Sequence, residues 1–193
     1  MSIALLTMIA ALPLEAKAPD FSLPDPTGKV VSKADFKEAK AIVVMFICNH
    51  CPFVKHVQKQ LVVLDNEYRP KGVAFVAINA NDASQYSGDS PENMLEEIKK
   101  VGYKFPYIID ETQAVAKAYQ AVCTPDIFLF DGERKLVYHG QLDDSRPGSK
   151  VPVTGKDLRA ALDAMLGGQP VSKDQKPCVG CSIKWKPGNE PKK

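Results

Sequence analysis

Residues 43–57, V-V-M-F-I-C-N-H-C-P-F-V-K-H-V, constrain this chain more than any other stretch. An unbroken apolar run from 41 to 47 stops at Cys48 and Cys51, and an amphipathic pattern begins after Pro52. That order predicts a buried strand, a short loop holding two thiols, and a helix with proline in its first turn. The unpaired amides and positive dipole end of a helix stabilise a thiolate, which is the reactive form of cysteine. Two cysteines separated by two residues also close a small ring, so each can release a mixed disulfide from the other. The stretch reads as a redox active site.

At 193 residues the chain is long enough to bury a real core in one domain. A formal net charge of +2, with acids and bases interspersed, points away from nucleic acid. Four of the five cysteines form Cys-x-x-Cys pairs, which suits redox or metal chemistry better than a stapled scaffold. Residues 2–14 are mostly apolar and precede Ala16-Lys17-Ala18, a pattern like a cleavable leader. No Lys or Arg precedes Lys17, however, and Pro19 would follow the scissile bond. The run is also too short to span a membrane. The expectation is an uncleaved, cytoplasmic chain that does not bind membranes.

Further along, the helix after the site carries Phe53, Val57, Leu61, Leu64 and Tyr68 on one stripe, with Lys59, Asp65 and Glu67 off it. Residues 73–78 form a second continuous apolar run, as expected of a parallel strand covered on both faces. Ser90-Pro91 caps a helix burying Met94, Leu95, Ile98 and Val101. A short strand at 107–109 and a short helix at 115–119 follow. Runs at 127–130 and 135–139 flank Asp131-Gly132, a hairpin signal. Thr154 with Asp157 opens a last helix, closed by Gly167-Gly168. From Gln169 the composition turns to Pro, Lys and Gly, which separates a domain at 1–168 from a tail at 169–193 lying over the surface.

The opening A-P-D-F-S-L-P-D-P-T-G-K-V-V-S-K resembles redoxins of the peroxiredoxin and thiol-specific-antioxidant group, within the thioredoxin superfamily. The resemblance implies an α/β, thioredoxin-like fold: a mixed central sheet flanked by helices, with an N-terminal extension and a cysteine-containing tail. It also implies that Thr124-Pro125 holds a cis proline facing the Cys48/Cys51 loop. Peroxiredoxins place Pro-x-x-x-Thr-x-x-Cys before a proline and use an arginine further on. Laying Cys51-Pro52 on that motif puts Val44 at the proline, Cys48 at the threonine and Pro125 at the arginine. The groups that orient a peroxide are therefore replaced, and the chain reads as a peroxiredoxin frame carrying thioredoxin chemistry.

The attacking thiol has two candidates. Ordinary thioredoxins attack with the first cysteine, which nominates Cys48; an ungapped count from Phe46 nominates Cys51. Cys51 should feel the helix dipole most and Cys48 should be more open, and the reading takes Cys48. The expected activity is thiol-disulfide exchange without a cofactor, on protein or small-molecule thiols and disulfides, with a thioredoxin- or glutathione-type reductant. His50 in the third motif position would favour the thiolate and a potential less reducing than ~−270 mV. Cys178 and Cys181 form a possible second redox pair able to exchange with the first, or else a plain disulfide in the tail.

Other readings compete. Cys51 could act as the peroxidatic thiol of a weak peroxidase, with Cys48 resolving it. The two pairs could bind zinc, or His50 and His56 copper, in a metal-binding or redox-sensing module. Cys123 is expected to be a small buried hydrophobe. Asp143-Asp144 with Arg146 is expected in a surface turn with local ion pairs. Trp185, Lys184 and Lys186 are expected to anchor and solvate the tail.

Overall fold

A computed structural model describes residues 11–191. The first ten residues, which hold most of the apolar run read as a leader, lie outside the described residues. No helix among the described residues is long and apolar enough to cross a membrane.

A small hairpin, β1 (Ser22–Pro24) with β2 (Val30–Ser32), precedes the main sheet. Then follow β3 (Ala41–Phe46), α1 (Pro52–Tyr68), β4 (Val73–Asn79), α2 (Pro91–Val101), β5 (Tyr107–Ile109) and α3 (Ala114–Tyr119). The chain continues through β6 (Cys123–Thr124), β7 (Asp126–Phe130), β8 (Leu136–Gly140), α4 (Lys156–Leu166) and β9 (Cys181–Ser182). The central sheet runs β5-β4-β3-β7-β8; β3, β4 and β5 are parallel, while β7 and β8 are antiparallel. This is the mixed sheet the sequence predicts, in a thioredoxin-like arrangement.

The two apolar runs are central strands, and every residue of β3 is buried. Alternate side chains supply opposite faces. Val43 and Met45 meet α1, α2 and α4. Ile42, Val44 and Phe46 meet α3, the N-terminal segment and part of the tail. Burying each such aliphatic side chain contributes about 1.5–3 kcal/mol. Both flanks of β3 are thus packed, so the loop that leaves its C-terminal end starts from a rigid base.

Three details differ from the sequence reading. On α1, Val54 rather than Phe53 takes the buried position, and Asp65 lies on the buried stripe, where Arg69 one turn on pairs with it. In α2 only Met94 is fully buried, while Ile98 and Val101 pack at the edge of the core. The N-cap of α4 is Gly155 rather than Thr154, because Asp143 reaches across to accept the Thr154 and Gly155 amides at 2.7 and 2.6 Å. Asp143 is therefore a buried carboxylate that organises the turn before α4, not a member of a surface turn. Hydrogen bonds from Ser145, Gly155 and Thr154 outweigh the opposing effect of burial and hold its pKa below the usual carboxylate value. Asp144 does make the expected surface ion pairs, with Lys156 and Lys176.

The tail lies along the body. Gln175 accepts from the His139 amide and donates to the Val137 carbonyl, both at 2.9 Å. The Gln141 amide donates to Lys176 at 3.1 Å. Strand β9 then pairs antiparallel with β6, and Ile183 enters the core beside the partly buried Trp185. The Asp82 and Lys186 amides fix the remainder, bonding to Lys184 O and Gln113 Oε1.

Candidate active site

The site forms where β3 ends. The Ile47 amide donates to Ile78 O at 3.1 Å, prolonging the sheet by one residue before the chain turns. The turn is held from one side by Asp89. Its Oδ1 accepts the Asn49 amide at 2.6 Å, and its Oδ2 accepts from Asn81 Nδ2 at 2.9 Å and faces His50 Nδ1 at 2.5 Å. Asn49 also donates to Gly88 O and accepts from Tyr107 Oη. The His50 ring stacks on Tyr86, with centroids 5.2 Å apart. One His50 nitrogen, a carboxylate oxygen of Asp89 and Cys48 Sγ all lie within 4.8 Å of one another.

The turn ends at Cys51, the N-cap of α1, with Pro52 in the first helical position. Thr124 contacts both thiols: its Oγ1 lies 3.4 Å from Cys48 Sγ, and its carbonyl accepts from Cys51 Sγ at 3.1 Å. The Thr124–Pro125 bond is cis, as expected. The structure therefore brings Cys48, His50, Cys51, Thr124 and Pro125 into one site. Both sulfurs are closed off: Cys48 is 1% exposed and Cys51 0%, so Cys48 is not the open thiol that the sequence suggested.

The two thiols are electrostatically unequal. The hydrogen bond from Cys48, with others from Thr124 and Cys181 and the nearby Val54 amide, outweighs burial and lowers the Cys51 pKa to about 4. The Val54 contact is looser than a formal capping hydrogen bond. The Thr124 carbonyl suits the protonated thiol, whereas Cys48, the Thr124 side chain, the Val54 amide and Cys181 favour its ionised form. Cys48 moves the other way, because it keeps its proton to hydrogen-bond Cys51, is buried, and faces the Asp89 charge. Burial and the adjacent Cys51 push Cys181 up to about 11. The single negative charge of the cluster thus belongs on Cys51, beside the helix amides.

The tail cysteines depart from the sequence reading. Cys178 is disulfide-bonded to Cys123, so Cys178 and Cys181 do not form a ring together, and Cys123 is not a free buried hydrophobe. Cys181 is free, half-buried and beside Cys51. The two Cys-x-x-Cys pairs are therefore not gathered as four zinc thiolates. His56 lies beside Pro125 and Val179 rather than in a ligand set with His50.

Sequence reasoning passed over three residues. Asp89 lies 39 positions from His50, with no local mark. Asp126 and His139 were more legible, since an aspartate opens the apolar strand D-I-F-L-F directly after Thr124-Pro125. Asp126 is fully buried, its Oδ1 lies 2.8 Å from His139 Nε2, and the imidazole stacks on Phe128.

The Redoxin family profile matches residues 13–158, which include the whole Cys48–Cys51 turn and Thr124-Pro125. The chain belongs to the redoxin family. This redoxin is similar to the thiol-disulfide oxidoreductase ResA of Bacillus subtilis (strain 168), with 30% identity over 62% of the chain and 63% of ResA. The chain thus spans just under two thirds of the length of that relative. Among solved structures, an uncharacterised conserved protein from Geobacillus kaustophilus shares 60% identity at a TM-score of 0.89, over 94% of this chain and 95% of its own. A hypothetical protein from Sinorhizobium meliloti 1021 shares 49% at 0.91, over 93% and 98%. A thiol:disulfide interchange protein from Chlorobium tepidum, 24% identical with a TM-score of 0.62 over 81% of this chain and all of its own, shows the shared fold.

Proposed function

We propose that this redoxin is a thiol-disulfide oxidoreductase in which Cys51 attacks and Cys48 resolves. The observation that carries this reading is the position of Cys51 at the N-cap of α1, directly before Pro52 and in contact with the Thr124 carbonyl. The Cys51 thiolate attacks a partner disulfide, forms a mixed disulfide and releases one partner sulfur as a thiolate. Cys48 then loses its proton, attacks Cys51 Sγ and frees the second partner sulfur, leaving a Cys48–Cys51 disulfide. A dithiol or glutathione-type reductant returns it through the same steps in reverse. The choice of Cys51 over Cys48 replaces the sequence-based preference on electrostatic grounds.

His50 is the base this scheme needs. It faces Cys48, the thiol that must be deprotonated before resolution, and Asp89 orients its ring and stabilises the imidazolium that forms. His50→Ala is expected to slow release of the mixed disulfide by about a hundredfold, within the range of general-base effects, while sparing the first attack. Quenched-flow separation of the two steps measures this; an equal loss in both would assign His50 to the scaffold. The low Cys51 pKa stabilises the reduced form, which supports a potential less reducing than ~−270 mV.

The substrates under this reading are protein or small-molecule thiols and disulfides. Reduction of insulin by dithiothreitol, with and without the protein, tests the activity; no acceleration would discard it. Peroxide is expected to be a poor substrate, since Val44, Cys48 and Pro125 stand where peroxide-orienting groups would be. Stopped-flow oxidation by hydrogen peroxide should match that of an ordinary low-pKa thiol, and a much faster rate would favour a peroxidase.

A further inference from the structure

A second group of ligand-type side chains lies where the tail is joined to the body. Cys123 and Cys178 are bonded, and their sulfurs and one carboxylate oxygen of Asp126 all lie within 4.8 Å of one another. Asp126 is 0% exposed and opens β7, where it is registered against Phe46 in the central sheet. Its position is therefore set by the sheet. Its Oδ1 lies 2.8 Å from His139 Nε2, and its Oδ2 accepts the Val122 amide at 3.2 Å. The His139 ring is itself held against Phe128, with centroids 4.0 Å apart. Hydrogen bonds of this kind, from an imidazole and an amide, are how metal sites hold a ligating carboxylate in place. A disulfide serving only as a staple gains nothing from a buried carboxylate, whose removal from water opposes folding.

We propose that Cys123, Cys178 and Asp126 form a redox-switched site for a thiophilic divalent cation, zinc by its donor set, which replaces the disulfide as the link between tail and body when that pair is reduced. The site uses neither Cys48 nor Cys51 and stands apart from the oxidoreductase reading. In the first step a dithiol reductant gives two electrons and two protons to the Cys123–Cys178 bond and itself becomes a disulfide. Cys123 and Cys178 are then thiols. The cation displaces both thiol protons to water and takes two thiolates and one carboxylate oxygen. Two thiolates with a carboxylate suit zinc, whereas magnesium and calcium take oxygen ligands. Charge argues the same way. Two thiolates beside Asp126 gather three negative charges in a buried spot, and a divalent cation offsets most of them. Three protein donors leave the fourth tetrahedral position to a water. The path in lies on the tail side, since Cys178 is partly exposed while Cys123 is buried. Oxidation reverses the sequence and expels the ion.

The test uses the full chain and cobalt(II), whose thiolate charge-transfer band reports the donors that zinc would have. The protein is reduced with a phosphine, which competes little for metal, and titrated with cobalt, then with zinc. The reduced wild type should bind one equivalent of cobalt more than Cys178→Ala, with a thiolate band that zinc abolishes. Asp126→Asn keeps the shape of the side chain, and it should weaken cobalt binding at least tenfold, the lower end of what even outer partners of a ligand contribute. If that variant does not fold, as circular dichroism would show, the substitution at partly exposed Cys178 carries the test. Protein kept oxidised, with Cys123–Cys178 mapped intact by mass spectrometry, should lack this equivalent. A reduced wild type without a thiolate band overturns the proposal. So does equal cobalt uptake by wild type and Cys178→Ala, or by oxidised and reduced protein. Cys48→Ser should retain the tail-dependent band; its loss there would assign the metal to the exchange turn and overturn the proposal as well.

Discussion

Cys51→Ser should abolish disulfide turnover, by about a thousandfold or more, the scale on which removal of a covalent nucleophile acts. Cys48→Ser should also stop turnover, but after one event, leaving a sulfur attached to Cys51. The asymmetry follows from where the helix begins. Cys51 caps α1 and carries the charge, whereas Cys48 holds its proton beside the Asp89 carboxylate. The pH dependence separates the two candidates further. With a Cys51 pKa of about 4, the rate of first attack in the wild type should be flat above roughly pH 5 and fall only as pH drops through that value. An ordinary cysteine would instead lose its rate below ~8.5. Mass spectrometry of the quenched variants, with rates measured from pH 3 to 9, decides the matter. Trapped partner on Cys48 in a Cys51→Ser protein would reverse the roles.

Strands and helices were legible because their signals are local. The runs that became β3 and β4 show no alternation, as a strand covered on both faces requires. Ser90-Pro91 marked the start of α2 through capping chemistry confined to four residues. Charged residues misled where charge was taken as a sign of exposure. Asp65 follows Leu61 by one turn and so shares its face, and Arg69 another turn on satisfies it. Asp143 is buried because three amides converge on it, two of them from residues 11 and 12 positions away.

The active site divides in the same way. Cys48, His50 and Cys51 share one turn, and Thr124-Pro125 was identified through family resemblance. What stayed hidden depends on long-range closure. Asp89 meets His50 from the turn before α2, and the Cys123–Cys178 bond spans 55 residues. Spacing alone favoured a ring between Cys178 and Cys181. The β6–β9 pairing instead delivers Cys181 to Cys51 and leaves Cys178 to Cys123.

Gly180→Ala should unseat that pairing. Gly180 does not lie among the residues with left-handed backbone, so the requirement is for space and not for torsional freedom. An added Cβ would stand 2.0 Å from Thr124 O, 2.6 Å from its carbonyl carbon and 3.2 Å from Pro125 N. All three are backbone atoms, and Asp126 immediately beyond is registered against Phe46 in the central sheet. The sheet cannot yield at small cost, so the tail must move. Overpacking of this kind costs about 1–3 kcal/mol. Spent on seating of the tail, each 1.4 kcal/mol raises its open population about tenfold. Alkylation of Cys181 should therefore quicken by roughly ten- to a hundredfold, and amide exchange at Ser182 should rise with it. Because Cys51 is covered in the closed state, its first attack on an external disulfide should accelerate by a similar factor. Unchanged Cys181 alkylation in a folded Gly180→Ala protein would mean that the close approach to Thr124 does not hold the tail.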